Sequence, residues 1–499
     1  SNAVYHLLDE ITKNGQTTFL VVEPAKGEYK NVFGNCTDVQ VFGTNPRETP
    51  LLRMNPFAFP ENIHILEHID RLVEIFNACW PMYAAMPAVL KDAIERSYQK
   101  VGWDLRNSES EKGVFPTFFD LLDILPGVIE ESHYSKDTQS DYVGALCTRV
   151  KSLTNGIYGS VLCAEDALTD EALFDRNVIV DLSRVGSMET KSLLMGILVM
   201  KLQEYRMCSS GMNSRLRHVT VLEEAHNLLR KTSAEQSQEG ANLQGKSVEM
   251  LANAIAEMRT YGEGFIIADQ APGLLDMSVI RNTNTKIILR LPDEEDRKLV
   301  GKSAALKEAQ IDELSKLPLG VAAVYQNEWP EAVLCKIEAY PMPENAVYHK
   351  PSKMPHEINA EFVFGQLAVG KELEPLSSSE MEQLKLWLKR HEMMLKPEDG
   401  RYLEQVFAGG ELDVAKTRKA VFDFFGGIGT VVDYCAAAKK SLTPRKEFLE
   451  QLQGQYGLKA AAADWVLNSV ISMGVSLNPD AKAVENLRTN FEQQGGRVL

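Results

Sequence analysis

Between residues 177 and 291 the chain alternates short apolar runs with longer runs of helical period. "NVIVDLS" (177–183), "HVTVLEEAH" (218–226), "GFIIADQ" (264–270) and "TKIILRL" (285–291) are β-branched and short enough for strands, and helix-period segments fill about 187–207 and 246–260. Strands with so little polar alternation need cover on both faces. The order therefore predicts an α/β fold with a mostly parallel sheet between helical layers. "GVAAVYQNEWPEAVLCKIE" (320–338) reads as an antiparallel hairpin at its edge.

Upstream, Val4, Leu7, Leu8 and Ile11 share one face of a helix, and Phe19 to Val22 read as a buried strand entering a Glu23-Pro24 turn. A proline-punctuated connection reaches residue 60, and the pattern then turns largely helical. The expected organisation is a core start at 1–60, a helical insertion at 61–175, the rest of the core at 176–345, a linker at 346–378 and a helical C-terminal domain at 379–499. The 499 residues, 44% hydrophobic and 24% charged, suit two to four domains. No apolar run approaches the roughly 20 residues of a membrane span, and no signal-peptide layout is seen, which predicts a soluble, cytoplasmic protein. Seven cysteines without a C-x-x-C pair read as buried reduced thiols. The net charge of −16 argues against a uniformly basic nucleic-acid coat, yet leaves room for a ring that is acidic outside and basic in its channel.

Chemistry concentrates where two strands end. "VTVLEEAH" closes an apolar strand with two carboxylates, the Walker B arrangement: Glu223 would hold the Mg²⁺ shell and Glu224 would polarise the water that attacks a γ-phosphate. An isolated Glu-Glu pair more often just faces solvent. Here "GFIIADQ" also ends in polar residues at the same sheet edge, where open α/β sheets bind ligands, and its Gln270 would sense the γ-phosphate or orient the water. Arg259, near the end of the intervening helix, either complements the helix dipole or reaches a neighbouring subunit's site as an arginine finger. Arg290 and Arg281 are further candidates for that role.

Four motifs in order carry a family resemblance. "VVEPAKGEY" resembles the D-P-x-G-E-Y strand and turn of the HerA/FtsK superfamily of hexameric DNA-translocating ATPases, and "VTVLEEAHNLL" its D/E-E-A-H Walker B strand. "AEMRTYGEGFIIADQAPGLLD" is similar to the family's E-G-R-K-x-G…S-Q-x-P segment, and "IRNTNTKIILRL" to its N-T-x-I-I-x-R strand. The likeness covers roughly residues 4–30 and 177–340 and favours the HerA-like branch over conjugative-transfer ATPases. It implies a RecA-like P-loop NTPase core that binds ATP and Mg²⁺. Glu223 would be the metal ligand, Glu224 the base, Gln270 the γ-phosphate sensor, Arg259 the first-choice trans finger and Arg290 the second. Glu replaces the usual Asp in "VVEP" and "LEEAH", which lengthens each acid by one methylene and keeps its charge.

The family's P-loop, G-x-T-G-S-G-K-S-N, would end where "SNAVYHLL" begins. Ser1 then supplies the Mg²⁺-binding hydroxyl and Ser1 and Asn2 the nucleotide contact, unless Ser1-Asn2-Ala3 is the remnant of a cleaved tag. On either reading an upstream portion is expected to have been omitted or removed, leaving a fragment with weak nucleotide binding or none, because the loop amides and Lys supply most of the phosphate grip. The resemblance implies a ring, commonly a hexamer, that acts on double-stranded DNA with a nuclease or other effector in end processing or anti-phage defence. Two other functions compete: an ATPase-fold scaffold or switch that assembles an effector without strand separation, and a conjugative or secretion ATPase.

Two regions invite nucleic-acid readings and better support packing. Trp80, Tyr83, Arg96, Tyr98, Lys100, Trp103 and Arg149 interleave aromatics with basic side chains, a pattern commoner in a core with solvated charges than in a base-stacking platform. The segment around Gly457 resembles a helix-turn-helix, but its second helix, 459–472, is mostly Ala, Val, Leu and Trp and lacks the polar side chains that read base edges.

Overall fold

The computed structural model describes residues 1–350 except 14–16, 84, 111–112, 133, 165–166, 233–237 and 343–345. Further on it describes 397–407, 413–441, 443–456, 460–477 and 481–494. The chain divides into two compact units, Ser1–Lys350 and Pro351–Leu499.

The strands of the first unit are β1 (Thr18–Glu23), β2 (Val39–Gly43), β3 (Trp103–Asp104), β4 (Glu109–Ser110), β5 (Asn177–Asp181), β6 (His218–Glu223), β7 (Glu263–Ala268), β8 (Thr285–Ile288), β9 (Val321–Gln326) and β10 (Val333–Lys336). Five of them form the central sheet in the order β2-β5-β1-β6-β7, parallel throughout. Parallel pairing puts every carboxyl end on one edge, so Glu23, Asp181 and Glu223 fall side by side in register or one strand over. Alternation along β1 sorts its side chains: Leu20 and Val22 enter the large core on one face, while Phe19 and Val21 join Val4, Tyr5 and Leu8 on the other. Among the described residues β7 pairs along one edge only.

The segment 285–291 departs from the expected parallel alternation. Thr285–Ile288 pairs antiparallel with β9, which pairs with β10, so the predicted hairpin extends into a separate three-stranded sheet. The first helix, Asn2–Lys13, also presents a face turned by one position from the expected one. Val4, Tyr5 and Leu8 are buried while Leu7 is exposed, because the Tyr5 ring meets Tyr29 edge-on at 5.0 Å and anchors the helix there.

The described residues between 65 and 174 form a series of helices, interrupted by the β3–β4 hairpin, whose apolar side chains share one core with the sheet face and the helix Met188–Ser209. That long helix starts where the Ser187 hydroxyl accepts from the Thr190 amide, and it buries side chains nearly all round. It meets the helix Ile65–Cys79 so closely at Gly196 that an added Cβ would lie 2.8 Å from a methyl of Ile75. Most of the aromatic and basic residues singled out above serve this packing: Trp80 and Tyr98 are buried, Trp103 stacks on Phe115, and Arg96 and Lys100 pair with acids of the same helical region, while Tyr83 is exposed.

In the second unit the described helices, Pro397–Phe407, Val414–Phe424, Gly427–Ala437, Pro444–Tyr456, Ala460–Leu477 and Ala481–Gln493, gather around Leu403, Phe425, Tyr434, Leu467, Ile471 and Phe491. Val466, Leu467, Val470 and Ile471 bury the would-be recognition helix in that core, and Gly457 lies outside the described residues. Most of the expected linker, 351–378, does too. Among the described residues no single helix is long and apolar enough to cross a membrane. All seven cysteines are free, and Cys79 alone is fully buried.

Candidate active site

The carboxyl edge of the sheet collects acids from four adjacent strands. Glu23 ends β1, Asp181 ends β5, Glu223 ends β6 with Glu224 beyond it, and Asp269 and Gln270 follow β7. Left to water such a row would repel itself. Each member is instead held by a specific donor.

Glu23, 3% exposed, accepts the backbone N–H groups of Glu28 (2.8 Å) and Tyr29 (3.1 Å). These bonds close the turn through Lys26 and Gly27, both at φ +67°; at Gly27 a Cβ would crowd Ser183 and Asp181. Burial pushes the Glu23 carboxyl up to about 7, even though the two N–H donors pull it down. The turn presents Tyr29, fully buried, whose hydroxyl donates to the half-buried Glu223 carboxylate. Burial and that carboxylate raise the Tyr29 hydroxyl well above its ordinary value, so it stays a donor. Asp181 takes Lys30 at 2.5 Å, and Lys30 also reaches Glu48 at 3.1 Å.

Glu224 adopts a left-handed backbone conformation, φ +46° and ψ +52°, which costs a non-glycine residue on the order of 1–3 kcal/mol. It persists because its surroundings fix it. Gln270 donates to one oxygen of its carboxylate, and Asn227 donates to its carbonyl through both the backbone (2.9 Å) and the side chain (2.7 Å). The predicted base and the predicted sensor, 46 residues apart in sequence, are thus in direct contact.

The first helix precedes β1 and its N-terminus stands at this same edge, beside Glu28, where a helix dipole favours phosphate. Ser1 is exposed there, its hydroxyl 3.4 Å from Glu28. Asn2 points elsewhere. Its side chain donates to the Glu338 carbonyl (2.9 Å) and accepts from the Tyr340 amide (2.7 Å), tying residues 338–340 across the helix. Arg259 is exposed on the 3-10 turn Met258–Tyr261 that leads into the amino end of β7, at the opposite edge of the sheet from Glu224. Arg281 and Arg290 are exposed at either end of β8. None of the three arginines joins the acidic edge of its own chain.

Sequence reasoning passed over Tyr29, Asp181, His226 and Asp269. Asp181 was within reach, since "NVIVDLS" ends in an acid as "VTVLEE" does. Tyr29 sits inside a quoted motif, yet only the fold shows its hydroxyl on Glu223.

No protein-family profile matches the chain. It is 32% identical over 124 residues to the DNA double-strand break repair helicase HerA of Sulfolobus acidocaldarius, which covers 24% of this chain and 23% of that protein. It is 30% identical over 123 residues to a probable helicase of Methanocaldococcus jannaschii, covering 24% and 22%. The resemblance to the HerA/FtsK superfamily is borne out. The matches span less than a quarter of either helicase. The fold agrees: VirB4 of Thermoanaerobacter pseudethanolicus superposes with a TM-score of 0.52 at 19% identity, over 68% of this chain and 86% of that one. The architecture is that of a RecA-like P-loop ATPase, with a helical C-terminal region.

Proposed function

We propose that this protein is an ATP-hydrolysing DNA translocase or helicase of the HerA-like type, working as a ring on double-stranded DNA. The observation that carries it is the contact between Glu224 and Gln270 beside Glu223, on adjacent parallel strands at the edge faced by a helix N-terminus. Identity to a DNA repair helicase favours this branch over a conjugative ATPase.

In this reading Glu223, half-buried and oriented by Tyr29, is the hard oxygen ligand that Mg²⁺ prefers, with Ser1 as a second. The metal, when bound, neutralises charge on the β- and γ-phosphates. Glu224 takes the proton of the attacking water, and Gln270 moves from the Glu224 carboxylate to the γ-phosphate when nucleotide is present. Arg259, with Arg290 second, belongs to the site of the neighbouring subunit, consistent with its exposed place away from its own acidic edge. A hexameric ring, a nuclease or other effector partner, and a cytoplasmic role in end processing or anti-phage defence complete the proposal.

ATP hydrolysis by the full-length protein, with and without double-stranded DNA and beside Glu224→Gln, tests it. The substitution removes a general base, and turnover is expected to fall about 10²- to 10⁴-fold. DNA-stimulated turnover lost in the variant supports the motor. A folded, nucleotide-bound ring without turnover would move the weight to an assembly scaffold.

A further inference from the structure

Asp269 is a nearly buried acid at the carboxyl edge to which the proposed chemistry assigns no role. Its side chain is 3% exposed and receives three N–H donors. The His226 backbone amide and the His226 ring Nδ1 both lie 2.9 Å from Oδ2, and the Ala271 amide lies 2.8 Å from Oδ1. An ionised carboxylate only accepts, so the ring proton resides on Nδ1 in this contact. One side chain therefore fastens the segment after β6 to the segment after β7. Where the family motif reads S-Q-x-P, this chain has Asp269-Gln270-Ala271-Pro272.

The fastened segment is the one that begins with the left-handed Glu224. His226 lies two residues on, its Nδ1 3.6 Å from the second Glu224 oxygen, while the first oxygen holds Gln270. At 3.6 Å the ring is too far to bond Glu224, and it serves as a wall against which the carboxylate rests. The His226 amide bond to Asp269 pulls the chain down immediately after the strained residue. It works with the two Asn227 donors on the Glu224 carbonyl, and loosening it frees the backbone at Glu224 to shift toward the commoner right-handed or extended regions and carry the carboxylate with it.

We infer that Asp269 and His226 form a clamp of positioning residues that holds the base Glu224 in its left-handed conformation and so sets its reach toward the attacked phosphate. This rests on the ATPase reading above and deepens it. The clamp touches neither the phosphate-facing helix end nor Glu223, and of the proposed nucleotide contacts it adjoins only Gln270, so it governs turnover far more than nucleotide affinity. Misplacing a base by about 1 Å costs on the order of 100-fold in rate.

The test compares Asp269→Asn, His226→Ala and His226→Asn with wild type in the full-length protein. ATPγS·Mg²⁺ affinity and the single-turnover ATP hydrolysis rate are measured on each. An asparagine at 269 keeps one oxygen acceptor and turns an NH₂ toward a donor, whereas an asparagine at 226 places an amide N–H where Nδ1–H stood. Asp269→Asn and His226→Ala are expected to lose about 10- to 100-fold in rate at unchanged affinity, with His226→Asn recovering most of the loss. Wild-type rates in both variants, or affinity falling in step with rate, would overturn the clamp while leaving the ATPase reading intact, provided Glu224→Gln still abolishes turnover. A wild type that hydrolyses nothing overturns the ATPase reading, and the clamp with it.

Discussion

Removing a single hydroxyl, Tyr29→Phe, separates the metal-binding role proposed for Glu223 from the stability of the fold. The ring is fully buried and packs edge-on against Tyr5, contacts that phenylalanine keeps. What disappears is one hydrogen bond to a charged acceptor, worth about 1.5–3 kcal/mol when the acceptor cannot be resolvated. Glu223 is only half-buried, so water replaces the hydroxyl and the free protein should lose about 1 kcal/mol or less. Metal binding has no such escape, because a ligand freed to rotate loses its orienting partner, a change typically costing 10- to 100-fold in affinity. Urea unfolding of the metal-free protein and calorimetric titration of ATPγS with Mg²⁺ read the two quantities separately. A variant that unfolds like wild type and binds Mg²⁺·nucleotide about 10- to 100-fold more weakly is expected. Unchanged binding would refute the orientation argument and remove the structural support for Glu223 as the metal ligand.

Away from the active edge, Glu263→Gln should cost about 3–5 kcal/mol in urea unfolding, because Arg206, 1% exposed, loses the charge 2.8 Å away and the one amide oxygen that remains cannot serve both Arg206 and the His218–Thr220 side; a loss under about 1 kcal/mol would mean that Asp175 and the Phe174 carbonyl suffice. Burial alone would push Glu263 and Glu204 up, but His218 and Arg206 beside the first, and His68 and Arg71 beside the second, more than offset it and hold both carboxyls below the ordinary 4.5. The stability they contribute is therefore present above that pH and lost as pH falls through their lowered values, and Glu263→Gln should flatten the acid limb of a stability-against-pH curve. Gly196→Ala should lower stability by about 1–3 kcal/mol through the contact with Ile75, and Ile75→Ala in the same chain should return part of it, as thermal melting of the single and double variants would show.

The sequence exposed the sheet because each core strand is a short apolar run set off by helix-period segments, although only β6 and β7 are neighbours both in the chain and in the sheet. "HVTVLE", "GFIIA" and "NVIVD" became β6, β7 and β5, with edges within two or three residues of those expected. The strand at 285–288 was visible and its pairing was not, since nothing in "TKII" distinguishes a parallel neighbour from the antiparallel β9 it has. The same limit applies to the site. Glu223, Glu224 and Gln270 were legible because strand-end acids and amides share one edge in any parallel sheet. The donors that hold them were not, because they come from unrelated spacings: Tyr29 lies 194 residues from Glu223 and Asp269 lies 43 from His226. Such partners are fixed by register. β1 beside β6 brings the turn after Glu23 over Glu223, and β6 beside β7 brings Asp269 under His226. A one-residue slip in either pairing would keep every motif in the sequence and lose the contact made across it, since side chains alternate between faces along a strand. The motifs state which acids the chemistry requires, and the order β1-β6-β7 decides which neutral and basic groups hold those acids still.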